Sequence, residues 1–367
     1  MHRFLIVPLA SIALWGGAPA QAQTNPDDGI EEARALIQDL GEISTPEGID
    51  VLERVRLGGM EQWISIRGKD RDNPVLLFVH GGPGAPEMGI AWTFQRAWED
   101  YFTVVQWDQR GAGKTLRENG EAASTPTLTR EQITADAGEL IGLLREKFGQ
   151  DRIVVVGHSW GNAVGLGAAL QHPNWVSVYV GIGPLLRMAE SERIGYDRLL
   201  RIAHERRDES AIAELEALAP YPGDGPLTFE RIGAQRKWVM AFGGLAAYRD
   251  NARYYFNAPT LSPTYEAADI DAIDEGGRIS VSALLPEMTV VDFASVRSTA
   301  FPVVMFVGRH DLTTPYEVTA QWLDSLDAPS KRLVMFEHSA HLPMVEEPGR
   351  ALVALVEEVL PLAQEGR

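Results

Sequence analysis

The chain has 367 residues, 45% of them hydrophobic and 23% charged, an ordinary globular balance with room for one large domain or two smaller ones. A formal net charge of −18, with no basic patch or stripe, excludes nucleic acid as a partner. Cysteine is absent, which excludes disulfides, thiolate metal sites and a cysteine nucleophile.

Residues 1–22 read as a secretory signal. Arg3 supplies the positive start, Phe4–Trp15 is an apolar run too short to span a bilayer, and Ala20-Gln21-Ala22 has the small-x-small form of a cleavage site. An uncleaved membrane anchor is the alternative. With cleavage, the mature chain is expected to be soluble, periplasmic or extracellular, without stable membrane association. Without a cysteine after the signal, no lipid anchor is expected.

Thr24–Gly29 is polar and expected to be disordered, and Ile30–Leu40 carries a helical period. Val51–Leu57 and Glu61–Arg67 alternate about Gly58-Gly59 as a hairpin. Val75–Val79 and Phe102–Trp107 are continuous apolar runs, expected for strands buried on both faces. Leu128–Phe148 is helical in pattern. Ile153–Val156, Val176–Val180, Val303–Val307 and Leu333–Phe336 complete eight strands, and their alternation with helices implies a doubly wound parallel sheet. A crossover needs only one helix, so the stretch 186–296 is an insertion, with helical patterns at Glu190–Arg207 and Leu227–Phe242.

The strand Ile153–Val156 runs into Gly157-His158-Ser159-Trp160-Gly161, and the apolar Ala163–Leu170 follows as a helix. A G-x-S-x-G between strand and helix is the context of a nucleophile elbow, in which glycines permit the sharp turn that lifts the serine clear of the sheet. A serine hydroxyl needs an oriented base, usually histidine, and in an open parallel sheet such partners gather at the carboxyl ends of later strands. Gly308-Arg309-His310-Asp311 follows the seventh strand, and Glu337-His338-Ser339-Ala340-His341 follows the eighth. Ser159, Asp311 and a histidine thus occur in the chain order of this architecture. His341 is the preferred base because it has enough loop to reach back over Ser159, with His338 as the rival. His310 reads as a loop residue, His158 as packing beneath the nucleophile, and Glu337 as a weaker acid. The oxyanion donors are assigned to the amides of Trp160 and of Gly82, in the glycine-rich His80-Gly81-Gly82-Pro83-Gly84 turn.

Two patterns mislead. Asp108–Thr115 nearly matches a phosphate-binding loop, but Asp108 replaces its first glycine and the residues after Thr115 read as loop. His338 and His341 lack the H-E-x-x-H pattern of a zinc hydrolase, so no metal and no cofactor are expected.

Together, His80–Gly84, Asp108-Gln109-Arg110-Gly111-Ala112-Gly113, Gly157–Gly161, Gly308–Asp311 and Ser339–His341 resemble the proline iminopeptidase family of α/β-hydrolases. The resemblance covers the chain from about residue 50 onward. It implies an α/β-hydrolase fold with an eight-stranded, mostly parallel sheet and a helical cap. It also implies Ser159, Asp311 and His341 as the triad, Asp108 and Arg110 as buttresses of the oxyanion loop, and release of N-terminal residues, often proline, from peptides. The expected division is a signal peptide (1–22), a first core segment (23–185), a helical cap (186–296) and a second core segment (297–367). The family's cap holds glutamates that bind the substrate's free amine, one in a Trp-Glu pair, whereas here Trp238 precedes Val239. Glu266, Asp269 and Glu287 are the candidate substrate-binding acids, with nothing to single one out. The expected partner is a small peptide, or in the alternative a small-molecule ester, lactone or amide; oligomeric state is left open.

Overall fold

The computed structural model describes residues 26–223 and 227–365. Residues 1–22, where a signal sequence is expected, lie outside the described residues. A helix α1 (Pro26–Leu40) begins the described chain, so 26–29 is helical where a disordered start was expected.

Eight strands form one sheet in the order β1-β2-β4-β3-β5-β6-β7-β8: Ile49–Leu57, Met60–Gly68, Val75–Val79, Thr103–Asp108, Ile153–His158, Val176–Ile182, Val303–Gly308 and Lys331–Phe336. β1, β2 and β4 pair antiparallel, and the remaining pairs are parallel. Every residue of β3, β4, β5, β6 and β7 is buried, as the continuous apolar runs require. Alternate residues feed two cores. Val75, Leu77 and Val79 face one side with α3 (Arg130–Phe148) and α4 (Gly161–Gln171), while Leu76 and Phe78 face the other with Phe94, Trp98 and the C-terminal helices. The edge strand β8 begins with exposed Lys331 and Arg332, charges that discourage pairing with another sheet.

α3 starts where Thr129 accepts from the Gln132 amide at 3.1 Å, and stops at Gly149, whose φ of 62° closes the turn. A helix α2 (Gly113–Asn119) runs through Thr115 and continues to Asn119, where the sequence reads as loop.

Between β6 and β7 the chain makes a helical insertion: α5 (Met188–Arg206), α6 (Glu209–Glu216), α7 (Phe229–Ala241) and α8 (Ala267–Thr289). The sequence pattern marks α5 and α7 but misses the 23-residue α8, which contains Gly276-Gly277 and Pro286. Those residues lower helix propensity. Gly276 has a packing reason, because a Cβ there would lie 2.8 Å from the Gly111 carbonyl oxygen. The glycine lets α8 lie directly on the Gly111–Ala112 backbone.

Candidate active site

β5 ends in the elbow. Ser159 has φ 53°, a left-handed conformation that non-glycine residues seldom adopt. Its amide donates to the Ile182 carbonyl at 3.0 Å, and its carbonyl accepts from Asn162 and Leu185 at 3.1 and 3.2 Å. The flanking glycines are sterically required. A Cβ on Gly157 would lie 2.5 Å from the Tyr179 hydroxyl oxygen, and one on Gly161 only 2.0 Å from the Val79 carbonyl oxygen. Gly157, His158, Trp160 and Gly161 are buried, whereas Ser159 is partly accessible.

The acid and base loops touch at their backbones. A Cβ on Gly308 would lie 1.9 Å from the Ala340 carbonyl oxygen. This contact brings Asp311 and His341 together: His341 Nδ1–H donates to Asp311 Oδ2 at 2.8 Å. Asp311 Oδ1 accepts from the amides of Thr313 and Thr314 at 2.7 and 2.8 Å, and the Thr314 hydroxyl donates to Oδ2 at 2.7 Å. Burial pushes the Asp311 carboxyl up, but the His341 imidazole and these donors outweigh it and hold it below the ordinary range.

Of the competing histidines, His338 is exposed and its ring faces Tyr248, as does that of His310. Glu337 is exposed and bidentate to Arg309 at 2.9 Å. His158 is buried beside the site. Its Nε2–H donates to the His341 carbonyl at 3.1 Å, and its Nδ1 lies 2.9 Å from Glu87 Oε1. That second contact becomes an ion pair when His158 is protonated. Burial pulls the His158 pKa down, yet Glu87 outweighs it and raises it; burial pushes Glu87 up, yet His158 brings it below the usual range. Tyr255 of the insertion donates to Glu87 Oε1 at 2.9 Å.

On the oxyanion side, Gly82 has φ 113° and is exposed, while Pro83, which follows it, is buried. Among the described residues, no acceptor is hydrogen-bonded to the amide of Gly82 or Trp160. His80 is buried, and burial pulls its pKa down to about 4. It is therefore neutral, with Nδ1–H donating to the Gly81 carbonyl at 2.8 Å and Nε2 accepting from the Gln109 amide at 3.2 Å. The Gln109 side chain donates to the His80 carbonyl at 2.9 Å. The buttress is thus Gln109, not its neighbours Asp108 and Arg110. Arg110 pairs with buried Asp136 of α3 at 2.9 Å, and Asp108 accepts from the Lys114 amide and from Tyr265 of the insertion.

The three substrate-binding acids expected from the sequence are used elsewhere. Glu266 and Asp269 form a capping box at the start of α8. Arg117 donates to both at 2.9 Å, and Lys114 Nζ donates to Asp269 at 2.6 Å. Glu287 accepts from the Arg130 amide at 3.0 Å, at the start of α3. The insertion has a different acid near the catalytic loops. Glu192 on α5 is 1% exposed and accepts from Arg236 and from the Tyr221 hydroxyl. Beside it, the backbone of α5 closes on the acid loop: a Cβ on Gly195 would lie 2.5 Å from the Leu312 carbonyl oxygen. Gln235 is also buried, and its Nε2 has no partner among the described residues. Glu192 lies in the buried stripe Met188, Glu192, Gly195, Leu199, so an acid on the apolar face of a predicted helix was the available signal.

Residues 74–348 match the alpha/beta hydrolase fold family. The chain belongs to the α/β-hydrolase family. The hydrolase is 30% identical over 310 residues to the "Probable aminopeptidase YbaC" of Bacillus subtilis, covering 83% of this chain and 95% of that protein. It is 26% identical over 319 residues to the proline iminopeptidase of Neisseria gonorrhoeae, covering 79% of this chain and 90% of that one. Among solved structures, the proline iminopeptidase of Mycobacterium smegmatis superposes with a TM-score of 0.62 at 16% identity, over 86% of this chain and all of that one. Its likeness is one of fold.

Proposed function

We propose that this hydrolase acts by acyl transfer through Ser159, His341 and Asp311, as an exported aminopeptidase of proline iminopeptidase type. The observation that carries this reading is the 2.8 Å contact of His341 Nδ1 with buried Asp311, with the imidazole of His158, the residue before the positive-φ Ser159, 5.2 Å from that of His341. Asp311 keeps Nδ1 protonated, which leaves Nε2 free to act as base. Ser159 Oγ attacks the scissile carbonyl carbon and gives its proton to His341, and the Gly82 and Trp160 amides take the oxyanion. His341 then protonates the departing amine, and water activated by the same imidazole releases the acyl group. The relatives named as aminopeptidases support the peptidase reading. The signal-like segment 1–22 supports export, which fractionation of the expressed full-length chain would test.

A second reading keeps the chemistry and replaces the peptide with a small ester, lactone or amide. One observation favours it: both buried acids of the insertion among the described residues, Glu192 and Asp269, are already paired with cations. A substrate panel decides between them. An aminopeptidase should cleave prolyl- and alanyl-arylamides with free amines and spare their N-acetyl forms. Preference for aryl esters over every free-amine amide would favour the second reading. Absence of Ser159 labelling by a fluorophosphonate would overturn both.

A further inference from the structure

The insertion is tied to the catalytic loops by a short strap. After α7 the chain turns at Gly243 (φ 79°) and runs to Tyr248. The Gly244 carbonyl accepts from the Leu312 amide and the Leu245 carbonyl from the His341 amide, both at 3.1 Å. The Ala247 amide donates to Glu346 at 2.6 Å. At the outer end stands Tyr248, with φ 62° and 73% exposed. A tyrosine in the left-handed region carries backbone strain. Here the strained backbone aims the phenol between two imidazoles. Tyr248 Oη lies 2.9 Å from His310 Nε2 and 3.4 Å from His338 Nδ1. His310 comes from the loop of Asp311 and His338 from the loop of His341, and the His310 amide donates to the Ser339 carbonyl at 3.0 Å.

We propose that Tyr248, His310 and His338 form a binding site for a borderline transition-metal cation, Zn²⁺, Ni²⁺ or Cu²⁺, outside the hydrolytic centre. In a tetrahedral site with metal–nitrogen bonds of about 2.0–2.1 Å, neighbouring donor atoms stand about 3.3 Å apart. The two donor–donor distances at Tyr248 Oη, 2.9 and 3.4 Å, bracket that edge length. Imidazole nitrogen is the donor these metals favour, and water can fill the fourth position. His338 and Tyr248 are exposed and His310 partly so, which gives the ion a path in. The electrostatics agree. Of the nearby cations, Arg309 is neutralised by Glu337 and Arg249 lies over the Tyr254 ring, and Glu347 accepts from the His338 amide at 3.0 Å. Among the described residues no group of three or more His, Asp and Glu converges on a point; this set completes two histidines with a phenol. The bound ion would staple the strap to both loops, adding stability to the insertion instead of taking part in acyl transfer.

The test is Zn²⁺ binding to the untagged full-length protein by calorimetry, with Cu²⁺ as a spectroscopic probe. Wild type should bind one ion per chain at micromolar concentration, and Zn²⁺ should raise Tm by several degrees. His338→Ala and His310→Ala should each weaken binding by about tenfold or more and remove the Tm rise. Tyr248→Phe keeps the ring and removes the oxygen, and should weaken binding less. His172→Ala and His204→Ala should bind as wild type does. The Cu²⁺ spectrum should show two coupled nitrogens in wild type and one in His338→Ala. No saturable binding below millimolar Zn²⁺, or equal affinity in wild type and His338→Ala, would overturn the proposal. Fluorophosphonate labelling of the same samples reads Ser159 separately, so loss of the metal site and loss of the acyl-transfer reading are distinguishable.

Discussion

Glu87 and His158 form a buried ion pair at 2.9 Å behind the base loop, and the far nitrogen of the same imidazole donates to the carbonyl of His341. Glu87 also accepts from Tyr255 of the insertion. A continuous polar path therefore runs from the insertion, through the segment after the oxyanion loop, to the residue before the nucleophile and on to the base. Removing one partner of such a pair leaves an uncompensated charge, so Glu87→Gln should destabilise the fold by about 3–5 kcal/mol in urea denaturation near neutral pH. The Glu87→Gln/His158→Gln double variant should recover part of that loss. Each partner sets one end of the pH window. The Glu87 pKa is depressed on folding, so its contribution is present above the unfolded value and is lost as pH falls through the folded one. The His158 pKa is raised, so its contribution is full below the unfolded value and is lost as pH rises through the folded one. The stability gap between wild type and Glu87→Gln should thus narrow at both acid and alkaline ends.

The two histidines of the base loop make opposite predictions. His341 is 5% exposed and holds Asp311, while His338 is exposed and faces Tyr248. Ser159→Ala and His341→Ala should each lower kcat by about 10⁴-fold or more, with the fold intact by circular dichroism. His338→Ala should stay within about threefold of wild type under metal-free conditions, since surface substitutions seldom reach a buried centre. A larger loss in His338→Ala than in His341→Ala would reverse the assignment.

Burial pushes the Asp108 carboxyl up to about 7, against the opposing hydrogen bonds from Tyr265 and Lys114. The folded state therefore holds a proton there that the unfolded chain releases at lower pH. This group's share of stability falls as pH rises from about 4 to about 7 and stays low above that. Asp108→Asn, which cannot ionise, should gain stability relative to wild type between pH 5 and pH 8, by an amount on the order of 3 kcal/mol at most. Parallel urea titrations at the two pH values measure it.

Gly308 is held to hydrogen by the Ala340 carbonyl oxygen, 1.9 Å from where its Cβ would stand. Gly308→Ala must push the acid and base loops apart. It should cost about 1–3 kcal/mol or more in stability and lower kcat far more than it raises KM, because it moves Asp311 relative to His341. Equal kcat in wild type and Gly308→Ala would show that the loop contact is dispensable.

The sequence by itself determined the sheet, the elbow and the order of serine, acid and histidine. Those signals are local: a β-branched run buried on both faces, glycines where a Cβ meets backbone, and functional residues just past strand ends. It did not mark α8, because Gly276 and Gly277 weaken the local helical signal, while Gly276 serves a contact with Gly111 that is remote in the chain. The choice between His338 and His341 depended on where Asp311 lies, and Asp311 is reached through the Gly308–Ala340 contact between two loops. Tertiary structure also decided that Gln109, rather than Asp108 or Arg110, holds the oxyanion loop. It assigned Glu266, Asp269 and Glu287 to helix starts, and set Glu192 against Arg236, more than forty residues away on another helix. A carboxylate's role follows from the cation or amide it meets, and those partners come from distant segments, so no spacing along the chain could supply them.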